Sequence, residues 1–187
     1  MNKPKITIFL SFFIIILLSN SFFAQTENLG ELNVWTEKKV ARAKINEPNH
    51  QNIGFRGVRV AKRKDFDSVI FEFKGKIPNW EIESGKSPVL LIESGTYTKI
   101  AGKALVRVNF FPVSQDSELP YQDDKAMSNS VLQISPQKLK LFFVKEIINT
   151  VWVNYELGFA VGLRTKALYR VRELSNPWRL LIDFKHY

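Results

Sequence analysis

An alternating apolar run limits the fold more than any other feature of this sequence. Residues 68–74 read SVIFEFK, in which Val69, Phe71 and Phe73 fall on one side of an extended strand and the intervening residues on the other. A glycine and a proline then end the run, and Trp80 begins a second alternating segment. A period of two predicts a half-buried strand, so this stretch indicates a sheet with one face in a core.

Short runs of this kind recur from residue 54 onward, separated by Gly, Pro, Asn and Ser. The predicted strands cover residues 57–61, 68–74, 80–84, 89–93, 104–113, 131–134, 138–145, 150–163, 168–172 and 179–184. The segment 136–149 fits either a strand or a helix, because its apolar residues occur at both spacings. About ten strands with few helical patterns predict an all-β domain, either a sandwich or a barrel.

Two parts of the chain repeat the same order of strands and turns. In the first part VIFEF leads to WEIESGKSP and VLLIE, and in the second VWVNY leads to YRVRELSNP and WRLLIDF. The aromatic-led segments 80–88 and 169–177 have the same length and both end in proline. We therefore expect a two-sheet β-sandwich with approximate internal symmetry, in which two three-strand units form the two packed sheets.

The first 24 residues follow the rules of export signals. Lys3 and Lys5 precede the apolar run ITIFLSFFIIILL, which a short polar segment ends. This pattern predicts a secretory signal peptide over residues 1–24, and an uncleaved membrane anchor over residues 6–23 is the alternative. Contact with a membrane is expected only through this segment, and only if it stays uncleaved.

A polar spacer is predicted between the signal and the folded domain. Residues 25–53 are polar and carry only a weak helical pattern at 36–44. The folded β domain is therefore expected at residues 54–187.

Composition excludes several classes of chemistry. The chain has no cysteine, which removes thiol catalysis and thiolate metal sites. Of its two histidines, His50 lies in the spacer and His186 is penultimate, so neither is placed as a general base. No cofactor motif or metal-ligand spacing occurs, and neither a cofactor nor a metal is expected. The net charge of +9 comes from dispersed basic residues without nucleic-acid motif spacing, so no nucleic-acid partner is predicted.

The stretches DFDSVIFEFKGKIPNWEIES and ELGFAVGLRTKALYRVRELSNPWRLLIDF resemble the AMIN-like domain of exported bacterial proteins and lipoproteins. That domain is related to the AMIN domain of cell-wall amidases and secretins. The resemblance covers residues 54–186 and departs from relatives at Ser68, where arginine is common, and at Lys62 and Arg63, where histidine is frequent. It implies a two-sheet β fold in the periplasm or cell envelope and binding of peptidoglycan or another envelope component.

The inventory of side chains favours binding over catalysis. The one enzymatic arrangement left is a glycosidase-type carboxylate pair formed by Glu72 with Glu81 or Glu83. We favour the interpretation that these are solvent-facing strand residues paired with lysines, so the chain is predicted not to be an enzyme. An adaptor that binds protein partners through a sheet edge is a further alternative.

A wall glycan offers apolar sugar faces and peptide carboxylates, which aromatic and arginine side chains recognise. The predicted ligand-binding residues are Arg59, Trp80, Trp152, Arg170, Arg172 and Arg179. Among them, alternation predicts that Arg170 and Arg172 are an exposed pair. Trp152 is expected at a surface or at a second interface. The acidic loop 114–129 is predicted to be a solvated surface loop, and a calcium site is the alternative.

Overall fold

The computed structural model describes residues 34–37, 40–42, 53–114 and 140–187. These residues form eleven strands and no helix. The strands are β1 (Val40–Arg42), β2 (Gly54–Lys62), β3 (Phe66–Lys74), β4 (Asn79–Gly85), β5 (Val89–Leu91), β6 (Thr96–Thr98), β7 (Ala104–Phe111), β8 (Val144–Val153), β9 (Glu156–Leu163), β10 (Tyr169–Ser175) and β11 (Trp178–Lys185). The predicted signal peptide, the predicted strand 131–134 and all of the acidic loop beyond Ser114 lie outside the described residues.

Two antiparallel sheets pack face to face. The five-stranded sheet has the order β1-β4-β7-β9-β8, and the four-stranded sheet has the order β10-β11-β3-β2. This arrangement confirms the predicted all-β sandwich. In the described part of the chain no helix is long and apolar enough to cross a bilayer.

The alternating run that predicted a half-buried sheet lies at the centre of the core. Val69, Phe71 and Phe73 on β3 are each at most 1% exposed. The rings of Phe71 and Phe73 both lie 5.0 Å from the ring of Phe110 on β7, so the two sheets meet through aromatic contacts. Phe159 on β9 adds a further contact, 5.2 Å from Phe71.

The hairpin formed by β5 and β6 covers the outer face of the five-stranded sheet with a second, smaller core. Its buried members are Val89, Ile100, Leu105, Ile148 and Ala160. The backbone approaches closely beside this cluster. A Cβ atom at Gly162 would lie 2.1 Å from the carbonyl oxygen of Ala101, so no side chain fits there without movement of the backbone.

The predicted long strand over residues 150–163 is wrong, because the chain reverses in the middle of it. Asn154 and Tyr155 have positive φ angles of 51° and 64° and join β8 to β9 in a tight hairpin. A bulge between Asn149 and Val151 also shifts the alternation of β8. The strand β8 settles the ambiguous segment 136–149 as extended over residues 144–149.

The three-strand repeat units do not form separate sheets, contrary to our expectation. β3 lies in the four-stranded sheet, β4 in the five-stranded sheet and β5 in the hairpin. The two halves therefore share the order of strands along the sequence but not the pairing of strands in the sheets.

Two pieces of the predicted spacer pair with the sandwich. Thr36 exchanges backbone hydrogen bonds of 2.8 and 3.0 Å with Tyr169 on β10, and β1 pairs with residues 81–83 of β4. The weak helical pattern was therefore misleading at residues 40–42, which form a strand. Because β10 and β4 belong to different sheets, this part of the chain passes from one sheet to the other.

Candidate functional site

The candidate site lies on the outer face of the four-stranded sheet, around β10 and β11. Tyr169 and Val171 point into the core and are at most 4% exposed, so the intervening Arg170 and Arg172 point outward as predicted. Their side chains are nevertheless only 22% and 27% exposed. The prediction of a freely exposed pair is therefore corrected to a half-buried pair.

A buried carboxylate explains this partial burial. Asp183 on β11 stands opposite Arg170 in the sheet register and is fully buried. Its Oδ2 accepts hydrogen bonds from Nε of Arg170 at 2.8 Å and from Nε of Arg172 at 3.0 Å. Its Oδ1 accepts a hydrogen bond from the hydroxyl of Ser68 at 2.6 Å. The two guanidinium groups are thus held by one carboxylate in fixed orientations.

Aromatic rings flank the same cluster. The guanidinium carbon of Arg170 lies 4.7 Å from the ring centre of Trp35 and 5.0 Å from that of Phe66. The two rings meet edge to face at 5.9 Å, and the amine of Lys185 lies 5.8 Å from the ring of Trp35. Cation–π contacts of this kind hold the guanidinium plane against the aromatic surface.

The two remaining predicted arginines lie on the same outer face. Arg179 on β11 is half-buried, and its Nε donates to the carbonyl of Pro177 at 3.3 Å. Arg59 on β2 is exposed and forms an ion pair with Glu72 on β3. All four predicted arginines therefore share one face.

The predicted tryptophans are not on this face. Trp80 is only 3% exposed, and its Nε1 donates to Glu173 at 2.7 Å. Trp152 is half-buried, stands opposite Leu157 and contacts Phe55 edge to face at 6.1 Å, because the bulge in β8 turns it inward. Both placements correct the expectation that these residues offer exposed stacking surfaces.

The carboxylate pair considered for glycan hydrolysis does not form. Glu72 belongs to the outer face of the four-stranded sheet, whereas Glu81 and Glu83 belong to β4 in the other sheet. Glu81 pairs with Arg42 at 2.6 Å and Glu83 with Arg107 at 3.3 Å. The core separates Glu72 from the other two, and each of the three carboxylates pairs with an arginine, where lysines were expected.

Sequence reasoning missed four members of the cluster, namely Trp35, Phe66, Ser68 and Asp183. Asp183 had a signal, since an acidic residue inside the apolar strand LLIDF needs a buried cation. No sequence signal pointed to Trp35, because it lies in a polar segment and only the folded structure brings that segment to β10.

The electrostatics of the face suit an anionic ligand. Asp183 neutralises one of the two guanidinium charges, so the pair keeps a net positive charge beside exposed guanidinium edges. On the core side of β10, burial raises the pKa of the Tyr169 phenol above its ordinary value. Within the described ranges, no three histidine or acidic side chains are grouped as metal ligands.

Comparison with protein-family models matched residues 54–186 to the AMIN-like domain. A comparison with curated proteins and one with solved structures found no match.

Proposed function

Because the chain belongs to the AMIN-like domain family, we propose that it is a non-catalytic module that binds peptidoglycan in the bacterial cell envelope. AMIN-like domains occur in exported envelope proteins and are generally binding modules. Residues 1–24 would direct export, and residues 25–53, parts of which pair with the sandwich, would lead from the signal to the domain at 54–187.

The observation that carries this proposal is the guanidinium pair oriented by Asp183. The buried carboxylate holds Arg170 through Nε and Arg172 through both Nε and Nη2, and the two side chains remain 22% and 27% exposed. Fixed donors lose little conformational entropy when a carboxylate binds, which favours affinity. Trp35 and Phe66 beside them supply an apolar surface for a sugar ring. Peptidoglycan presents both chemical groups, as stem-peptide carboxylates and as glycan rings.

Retention on purified wall sacculi over a salt series tests this function. Reversal of the arginine charges would place two acidic groups beside buried Asp183 and unfold the domain, so the test variant is Arg170→Lys/Arg172→Lys. Lysine keeps the charge but cannot form the planar fork, and we expect retention to fall about tenfold. The matched control is Arg42→Lys, which changes an arginine paired with Glu81 on the other sheet.

Circular dichroism checks that each variant is folded. Retention of the folded double variant at the wild-type level would contradict the proposed face. Release of soluble fragments from sacculi would indicate a hydrolase, and no retention at any salt would indicate a protein adaptor. Sacculi stripped of stem peptides should bind less, because they lack the carboxylates.

A further inference from the structure

One end of the sandwich carries a dense group of exposed cations that the candidate site does not include. Six basic side chains from three neighbouring segments form this group, and within these described segments one acid, Asp65, is exposed. We call it the basic pole, and its members are Lys62, Arg63, Lys64, Lys140, Arg164 and Lys166. All six are exposed. Such a surface attracts a partner with many negative charges.

The C-terminal residues hold the three segments together. The ring of His186 contacts the carbonyl of Lys64 at 3.2 Å, and the hydroxyl of Tyr187 donates to the carbonyl of Lys166 at 2.5 Å. The backbone amide of Arg164 donates to the carbonyl of Phe143 at 2.8 Å. The basic pole is therefore one continuous surface built on backbone contacts, and its basic side chains point away from them.

Aromatic side chains border the cations. Phe142 is 40% exposed and lies 5.0 Å from the guanidinium carbon of Arg164, and Tyr187 is 78% exposed. Basic residues mixed with exposed aromatic rings are typical of surfaces that rest on lipid headgroups.

The chain also enters the described domain at this end. Thr36 pairs with Tyr169, the first residue of β10, whereas the last residue of β10 lies about 20 Å away at the other end of the sandwich. Only residues 24–33 separate the alternative membrane anchor at residues 6–23 from Val34, and ten residues span at most about 35 Å. The basic pole is thus the end of the domain nearest to the segment that exports or anchors the chain.

From these observations we propose that the basic pole docks on an anionic phospholipid surface. The domain then stands with β10 and β11 running away from the bilayer, and the arginine face is turned sideways and remains accessible. This surface is separate from the proposed peptidoglycan site, so either proposal can fail alone. Each basic residue near an anionic bilayer strengthens binding about fivefold.

The absence of cysteine allows a direct test on the full chain with single labels. Thr165→Cys places a fluorophore within the basic pole, and Ser175→Cys places one at the opposite end. The labelled chains are mixed with vesicles that carry a headgroup quencher, made of phosphatidylcholine alone or of phosphatidylcholine with phosphatidylglycerol. We expect quenching of the label at 165 on the anionic vesicles only, and none of the label at 175.

Neutralising variants assign the effect to the pole. Lys64→Gln/Lys166→Gln should weaken docking about 25-fold, at about fivefold for each lysine. The control Arg56→Gln/Lys76→Gln removes the same charge from exposed residues near the other end and should leave docking unchanged.

Equal quenching at both labels would overturn the proposal, as would equal losses in the two double variants. Quenching of the label at 165 to the same extent on neutral vesicles would also overturn it, because the N-terminal segment alone would then explain it. If the label is not quenched on anionic vesicles but dextran sulfate binds the chain, the pole recognises a soluble polyanion and the proposal is wrong.

Discussion

Replacing Asp183 by asparagine should destabilise the domain strongly, because the change removes the negative charge that two half-buried arginines share. The carboxylate accepts three side-chain hydrogen bonds, two from guanidinium groups and one from Ser68, at 2.6 to 3.0 Å. An asparagine keeps one acceptor oxygen, but its amide group donates and would face other donors. Asp183→Asn therefore loses attraction and introduces a mismatch.

The size of the effect follows from burial. Breaking a buried ion pair on one side costs about 3 to 5 kcal/mol. Asp183 is fully buried, but the two arginines keep about a quarter of their surface and can regain water, so we expect about 3 kcal/mol. For a domain of this length that loss lowers the melting temperature by about 10 °C.

Urea unfolding followed by tryptophan fluorescence measures this loss. The matched control is Glu72→Gln, the same acid-to-amide change on the same face, where the partner Arg59 is 60% exposed. A surface pair contributes little, so the control should lose less than about 1 kcal/mol. Equal destabilisation by the two changes would refute the view that Asp183 organises the arginine cluster.

Two further predictions concern the core. In thermal unfolding, Gly162→Ala should lower the stability by about 3 kcal/mol or prevent folding, because the added Cβ meets the backbone carbonyl oxygen of Ala101. The control Gly85→Ala should cost about 1 kcal/mol or less, because its Cβ meets movable side-chain atoms of Leu105 at 2.9 Å. A similar loss in both would contradict this. The second prediction concerns pH, because burial raises the pKa of the Tyr169 phenol in the folded chain. Above about pH 10 the unfolded chain loses the phenol proton and the folded chain keeps it, so the free energy of unfolding falls as the pH rises. Tyr169→Phe should lessen the fall in urea midpoints between pH 9 and 11, and parallel curves for the two proteins would exclude this cause.

Local patterns predicted the individual strands better than the connections between them. The alternation of β3 and of β10 placed Phe71 and Val171 in the core, because sheet geometry alone decides which face a residue takes. The reversal at Asn154 and Tyr155 was not predicted, since Tyr155 continues the apolar pattern and rarely adopts a positive φ angle. The pattern also did not predict which sheet each strand joins, because β3 and β4 both alternate apolar and polar residues but lie in different sheets.

The candidate site was predicted in part. Alternation correctly placed Arg170 and Arg172 on outward positions of β10, although the role of the four predicted arginines in binding stays a prediction. The prediction that Trp80 and Trp152 offer exposed stacking surfaces was wrong. Whether a tryptophan on a strand is buried depends on which sheet covers it, and the local pattern does not show this. Trp80 is covered by the opposite sheet, whereas Trp35, in a polar segment, lies beside Arg170.

The position of β11 has a consequence for when the domain can fold. β3 lies between β2 and β11, and Ser68 on β3 bonds to Asp183, which the ribosome adds 115 residues later. Until β11 has been made, β3 has one unpaired edge and the four-stranded sheet cannot close. Contacts this distant in sequence form slowly. This delay would suit the export proposed for the chain, because a translocation channel passes an unfolded chain. The exposed apolar strands need protection from aggregation in the interval.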